Sequence, residues 1–271
     1  MLFLNQDKKM VRLMSLLYQR DGEWQKYTDL ARGIDASPKT VKIYIENLEK
    51  IFYEYVQFQQ TGSMVQVVFD PNFGLLTMHR IFLFHSLIVQ ILYHSFFSPN
   101  IEKIDLSLDL DCSESSIFRN IRLFNQELPQ VYDLEFSYSQ MQFIGPEREI
   151  QKFYINFFIE VMPDPLAWPF EKYISEEDVQ TLAYLIGKYI HGRKMYPAHF
   201  KYIKIALGVS LIRLQQGFVI PVEEYSPIFY PKVEELVKVP AAGLVLDHYV
   251  RKNDEDRVQL MYQILTYLFS V

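Results

Sequence analysis

Thr28-Asp-Leu-Ala-Arg-Gly-Ile-Asp-Ala-Ser-Pro38 and Ile104-Asp-Leu-Ser-Leu-Asp-Leu-Asp-Cys-Ser-Glu114 align without a gap at an offset of 76 residues. Asp29 falls on Asp105, Leu30 on Leu106, Asp35 on Asp111 and Ser37 on Ser113. Beyond the quoted stretch Val41, Ile45 and Leu48 recur in type as Ile117, Ile121 and Phe124. Self-similarity at a fixed offset means that one supersecondary unit is used twice, so the local physics of one copy must hold for the other.

In the first copy Leu13, Leu16 and Leu17 sit at helical spacing within Lys8–Arg20, which predicts an amphipathic helix. Lys26–Gly33 is a short second helix ended by Gly33, and Asp35-Ala-Ser is a tight turn. Ser37 caps a third helix and Pro38 suits its first turn. Val41, Ile45 and Leu48 then mark one face at i, i+4 and i+7. Tyr53–Gln59 and Met64–Phe69, joined by Gln60-Thr-Gly-Ser, read as a hairpin. The second copy repeats the order: a long first helix at Thr77–Phe97, a second at Ile101–Leu110, and a third at Glu114–Leu128 capped by Ser113. A hairpin of Val131–Ser137 and Gln140–Ile144 follows. Three helices and a hairpin, with helix, turn and helix at the centre, make the winged helix-turn-helix plan.

In such a unit the third helix enters the DNA major groove with its outer face. With Val41, Ile45 and Leu48 inward, Lys39, Ile43 and Glu46 point outward, and Thr40, Lys42 and Asn47 flank them. Lys26 and Thr28, where the second helix begins, and Ser37 at the cap complete the candidate contacts. From Lys8 to Lys42 eight basic residues stand against four acidic ones, in a chain of net charge −6. Phosphate contact supplies most non-specific affinity, so this copy is the favoured DNA anchor. From Ile101 to Leu128 three basic residues meet six acidic ones, yet Ser115, Arg119 and Arg122 face outward, and arginine reads guanine. The plain alternative for each charge is a solvated helix face.

The 271 residues are length for roughly two domains of about 150 residues. Hydrophobic residues at 49% and charged residues at 22% predict packed cores rather than long disorder. Aromatic content, with 21 Phe and 19 Tyr, favours thick cores or subunit interfaces. The single cysteine, Cys112, excludes an internal disulfide framework and reads as a small core residue in the second copy's turn. No CxxC or HExxH spacing, Gly-rich phosphate loop or GxSxG is present, so neither a metal, a cofactor nor an enzymatic activity is expected. His79 and His94 are too far apart on one helix, about 22 Å, to share a metal. The apolar run Ile81–Phe97 carries His85, Gln90 and His94, which marks a buried helix rather than a membrane span. MLFLNQDKK is too short and wrongly ordered for a signal peptide, so a soluble, cytoplasmic protein is expected.

Three segments carry a family resemblance: Tyr27-Thr-Asp-Leu-Ala-Arg-Gly-Ile-Asp-Ala-Ser-Pro-Lys-Thr-Val41, Leu110-Asp-Cys-Ser-Glu-Ser-Ser-Ile-Phe-Arg119, and Phe143-Ile-Gly-Pro-Glu-Arg-Glu-Ile-Gln-Lys-Phe-Tyr-Ile-Asn-Phe-Phe158. They resemble the Mga/AtxA group of transcriptional regulators of Gram-positive bacteria, a family that includes virulence regulators. The last segment looks like the strand-to-helix exit after the family's second wing. The resemblance covers residues 1 to about 162 well and the rest more loosely. It implies double-stranded DNA as partner and a homodimer.

Pro163-Asp-Pro-Leu-Ala-Trp-Pro169 is a proline-rich joint, and Ser175-Glu-Glu-Asp starts a helix. Helices are expected at Ser175–His191, Pro197–Gln216, Pro231–Lys238, Ala241–Lys252 and Asp254–Leu268, the second with an apolar stripe of Leu207, Leu211 and Leu214. This block resembles a PRD, the phosphotransferase-regulated domain of the family, which implies control through a histidine by HPr or another phosphocarrier of the phosphotransferase system (PTS). Candidates are His248, His199 and His191. Alignment on Ser210-Leu-Ile-Arg213 puts the family's earlier histidine near Ala206, seven residues from His199. A capping or half-buried histidine is the structural alternative at each. Longer family members carry a second PRD and an EIIB-like domain, so the chain is expected to be either a fragment or a short member.

The expected architecture is mainly α with small β-hairpin wings: a first winged helix-turn-helix at 1–72, a second at 73–162, and a helical PRD-like domain at 163–271. The expected function is a sequence-specific DNA-binding transcription regulator whose last domain dimerises. The rival reading is a non-enzymatic protein-interaction scaffold that uses its winged helices as protein-binding modules.

Overall fold

The computed structural model describes residues 5–162, 167–188, 196–221, 230–249 and 261. They fall into two compact units: the described residues of Met1–His94, Glu102–Glu127 and Val161–Asp164 form one, and those of Ser95–Ile101, Leu128–Glu160 and Pro165–Val271 the other. The architecture is mainly α with two small antiparallel sheets.

The first copy runs α1 (Asn5–Gln19), β1 (Trp24–Lys26), α2 (Tyr27–Ile34), α3 (Pro38–Phe52), β2 (Val56–Thr61) and β3 (Met64–Phe69). Leu13, Leu17, Val41, Ile45 and Leu48 are fully buried, so the apolar stripes meet in one core. Strands β2 and β3 pair from Val56↔Phe69 to Thr61↔Met64. Gly62 opens the two-residue turn at φ +51°, the place where a type II′ hairpin turn needs glycine. The sheet has a third strand that the hairpin pattern does not announce. Strand β1 pairs on the other edge of β3, with Lys26 opposite Met64.

Gly33 does not end α2. The helix continues to Ile34 and closes on Asp35, which adopts φ +50°. Asp tolerates the left-handed region better than most side chains, so it replaces glycine as the stop. Gly33 has another reason to be small, because a Cβ there would lie 2.6 Å from the Leu16 side chain of α1.

The second copy begins with two helices, α4 (Leu75–Phe84) and α5 (Leu87–Phe97), bent by 64° where the sequence predicts one. The Gln90 side-chain amide donates to the Phe84 carbonyl, and Ser86 N–H bonds back only three residues, to Leu83, at 3.0 Å. A side chain inserted into the backbone ladder is a standard cause of a break. Helices α6 (Lys103–Asp109) and α7 (Glu114–Glu127) follow. A 3-10 turn at Leu128–Gln130, β4 (Glu135–Ser137), β5 (Gln142–Ile144) and α8 (Glu147–Val161) come next. The division between the compact units falls within α5 and again after α7.

The remaining described elements are α9 (Glu176–Ile186), α10 (Pro197–Gln215), α11 (Tyr230–Val237) and α12 (Pro240–Tyr249), with α9 packed on α10 and α12. Residues 163–166 of the proline-rich joint lie outside the described residues. So does the helix expected at Asp254–Leu268, apart from Met261. Phe96, Phe158 and Phe170 form an aromatic core with ring centroids 4.8–6.1 Å apart. Gly208 of α10 lets Phe170 sit against the helix backbone, since a Cβ there would lie 2.3 and 2.5 Å from its ring. Phe170 is fully buried and cannot swing away. Gly208→Ala therefore lowers stability by about 1–3 kcal/mol through overpacking, although alanine is the better helix former. The unfolding midpoint in urea measures this, and an unchanged or raised midpoint refutes it. Among the described residues no single helix is long and apolar enough to cross a membrane.

Candidate nucleic-acid interface

The two helix-turn-helix segments agree in their hydrogen bonds. After α2, Ala36 N–H bonds Ala31 C=O at 3.0 Å; after α6, Cys112 N–H bonds Ser107 C=O at 3.0 Å. Asp35 and Asp111 occupy the left-handed position at φ +50° and +46°. Ser37 Oγ accepts from Thr40 N–H at 3.1 Å, and Ser113 Oγ from Ser116 N–H at 3.2 Å. Every pair is related by the offset of 76. Ile117, Ile121 and Phe124 are buried like their counterparts. Cys112 is half-buried in this turn, and burial, with the Asp111 carboxylate, pushes its thiol up.

These caps fix where α3 begins, and the buried stripe fixes which way it faces. Lys39, Lys42, Ile43 and Glu46 are exposed, and Thr40 and Asn47 are half-buried at the flanks. Lys26, Thr28 and Ser37 are also exposed. The hairpin is tied to the start of α2: Tyr27 Oη donates to Gln60 Oε1 at 2.8 Å, and Tyr27 N–H to Ser63 C=O at 3.0 Å. Burial, with Glu46 nearby, pushes the Tyr27 phenol up, so it remains a donor at neutral pH. Lys26, beside the hairpin tip through its pairing with Met64, and Thr28 thus share an end with the wing.

On α7 Ser115, Arg119 and Arg122 are exposed. None of Lys26, Lys39, Lys42, Arg119 and Arg122 makes an ion pair with a described residue. Two neighbours on this face escaped the charge-based reading: Phe118, 48% exposed, and Leu123, 38% exposed. The offset could have found them, because Phe118 takes the place of Lys42 and Leu123 that of Asn47. Arg119 and Arg122 replace Ile43 and Glu46. The two third helices therefore present different chemistry on one backbone plan.

The candidate histidines are dispersed. His199 is exposed in the first turn of α10, with the Tyr196 ring edge-on at 6.0 Å. His248 of α12 is exposed, with Nδ1 3.4 Å from Asp178 Oδ2. That carboxylate also accepts from Tyr249 Oη at 2.7 Å, and Tyr249 Oη accepts from Ser175 N–H at 3.1 Å. Burial and the bond to Asp178 push the Tyr249 phenol up to about 12. His191 lies outside the described residues.

One polar cluster was not foreseen. Arg213 of α10, 6% exposed in its side chain, donates from Nε and Nη2 to the two carboxylate oxygens of Glu147 at 2.9 and 2.6 Å. Gln151 bonds both Glu147 and Ser210, and the guanidinium stacks on Phe218 at 3.7 Å. Its signal was present, since Ser210 and Arg213 interrupt the apolar run of α10.

Residues 71–158 match the model of the Mga helix-turn-helix domain. The chain is 23% identical over 221 residues to a putative trans-acting regulator of Streptococcus pneumoniae serotype 4 (strain ATCC BAA-334 / TIGR4). That match covers 80% of the chain and 43% of the relative, so the chain spans less than half of the relative's length. Residues 71–158 are thus similar to the Mga helix-turn-helix domain, and the same plan is built a second time in front of them.

Proposed function

We propose that the chain is a sequence-specific DNA-binding transcription regulator. The carrying observation is the pair of helix-turn-helix segments with matching caps, each presenting cations that no described acid neutralises. The first copy supplies charge for phosphate contact. The second, which the family model matches, supplies Arg119 and Arg122 for base edges. A gel shift on the gene's own upstream DNA, run over a salt series, tests this. Specific binding with a steep salt dependence supports it, and no binding at low salt refutes it. Exposed Ile104, Leu108 and Phe118 on the acidic second copy favour the protein-scaffold reading if DNA binding fails.

The helical block serves as dimer module and control point in this proposal. Light scattering gives a dimer at micromolar concentration, and a monomer throughout refutes that part. Control through the phosphotransferase system would act at His248, whose Nδ1 faces Asp178 while the ring stays exposed. A phosphoryl group beside that carboxylate adds repulsion between α12 and α9. Incubation with HPr, its kinase enzyme and phosphoenolpyruvate labels the protein, and His248→Ala removes the label. Absence of label on every histidine leaves the block as a structural dimer module.

A further inference from the structure

The outward face of α7 carries an aromatic ring where its counterpart α3 carries a charge. Phe118 is 48% exposed, and the offset of 76 places it on Lys42. Both helices start from the same serine cap, and both are seated by buried apolar residues at the same three positions. Lys42 shows that this plan does not require an apolar side chain there. At 100° per residue Ser115, Phe118 and Arg122 fall in one row at i, i+3 and i+7, and all three are exposed. The row begins at the second residue of α7, toward the end of a recognition helix that meets base edges.

A half-exposed phenyl ring gains nothing from phosphate oxygens, which stay hydrated beside it. In the major groove thymine alone presents an apolar group, its C5-methyl, while guanine presents the N7 and O6 acceptors that suit arginine. From Ile101 to Leu128 three basic residues meet six acidic ones, so charge holds this copy to DNA weakly and base contacts carry more of its binding. Phe118 and Arg122 lie about 6 Å apart along the helix axis, the length of about two base-pair steps. We propose, on the DNA-binding reading above, that Phe118 is a specificity-determining residue. Its ring covers the C5-methyl of a thymine within about two base pairs of a guanine read by Arg122. The first copy, with Lys42 at the matching place, meets phosphate instead.

Uracil differs from thymine only in lacking that methyl, and it pairs with adenine in the same way. The gene's own upstream DNA is prepared twice, once with thymine and once with uracil throughout, and the full chain is titrated with both duplexes. Uracil weakens specific binding by about fourfold for each methyl covered, and by about fifteenfold for a dimer with two Phe118 rings. A scrambled duplex binds equally with either base. Phe118→Ala weakens binding to the thymine duplex by the same factor and abolishes the difference between the two, while Arg119 and Arg122 keep a preference over scrambled DNA. Phe118→Lys, the residue that the first copy carries at this place, also abolishes the difference and steepens the salt slope by about 0.9. No uracil penalty in the parent, or a penalty that persists in both variants, overturns the proposal and leaves the DNA-binding reading in place. No binding to either duplex overturns both.

Discussion

Lys39→Glu together with Lys42→Glu lowers affinity for every DNA sequence, specific or not, by orders of magnitude at low salt. The fold survives, because both side chains are exposed and the stripe that seats α3 (Val41, Ile45, Leu48) is untouched. Neither lysine pairs with a described acid, so no internal ion pair is lost. Each Lys–phosphate contact contributes about −0.9 to the slope of log K against log salt, so the slope flattens by about 1.8. The introduced carboxylates add repulsion on top of that loss. Arg119→Ala with Arg122→Ala acts differently: affinity falls less, while discrimination between cognate and scrambled sites shrinks by about 1–3 kcal/mol per lost base contact. Titrations of both double variants on cognate and scrambled duplexes separate the roles. A correctly folded Lys39/Lys42 variant that binds as tightly as the parent removes the first copy as anchor and favours the scaffold reading.

The repeat was legible because helix caps are local. Ser37 and Ser113 are followed three residues later by the N–H they cap, and nothing distant decides that geometry. The apolar stripe of α3 was legible for the same reason. Gly33 misled because glycine has two uses, and a sequence does not say whether it relieves a backbone angle or a close approach. Here it admits Leu16, and the stop passes to Asp35. The break between α4 and α5 had no proline or glycine to announce it, as it depends on the Gln90 side chain reaching the Phe84 carbonyl. Strand β1 has three residues, too few for alternation to register, and owes its existence to the free edge of β3. Within the candidate interface, charge alone found the lysines and arginines. Phe118 and Leu123 required transferring the geometry of one copy onto the other, a step the offset of 76 already allowed.

Arg213 marked a polar spot in the apolar run of α10, but its pairing with Glu147 was illegible because the two are 66 residues apart, and the pair carries the second large effect. Glu147 opens α8, the exit helix of the second copy, and Arg213 lies near the end of α10 in the helical block. The side chains are 10% and 6% exposed, so water cannot replace a missing partner. Glu147→Ala leaves a buried guanidinium with the Phe218 face as its remaining support, and it takes from the Gln151 side-chain amide the acceptor it now uses. Arg213→Ala leaves a buried carboxylate. Each change destabilises by about 3–5 kcal/mol, the usual cost of stranding one member of a buried pair. The intact pair need not stabilise by that amount, since burying both charges costs most of what their attraction returns. Replacing both, Glu147→Leu with Arg213→Met, therefore restores most of the lost stability, and the double variant is more stable than either single one. Urea unfolding of the three variants and the parent gives the comparison as a double-mutant cycle. Single variants within about 1 kcal/mol of the parent would show that the pair is solvated in solution, as exposed ion pairs are, and the tie between α8 and α10 would then rest on the Ser210–Gln151 hydrogen bond and the aromatic core.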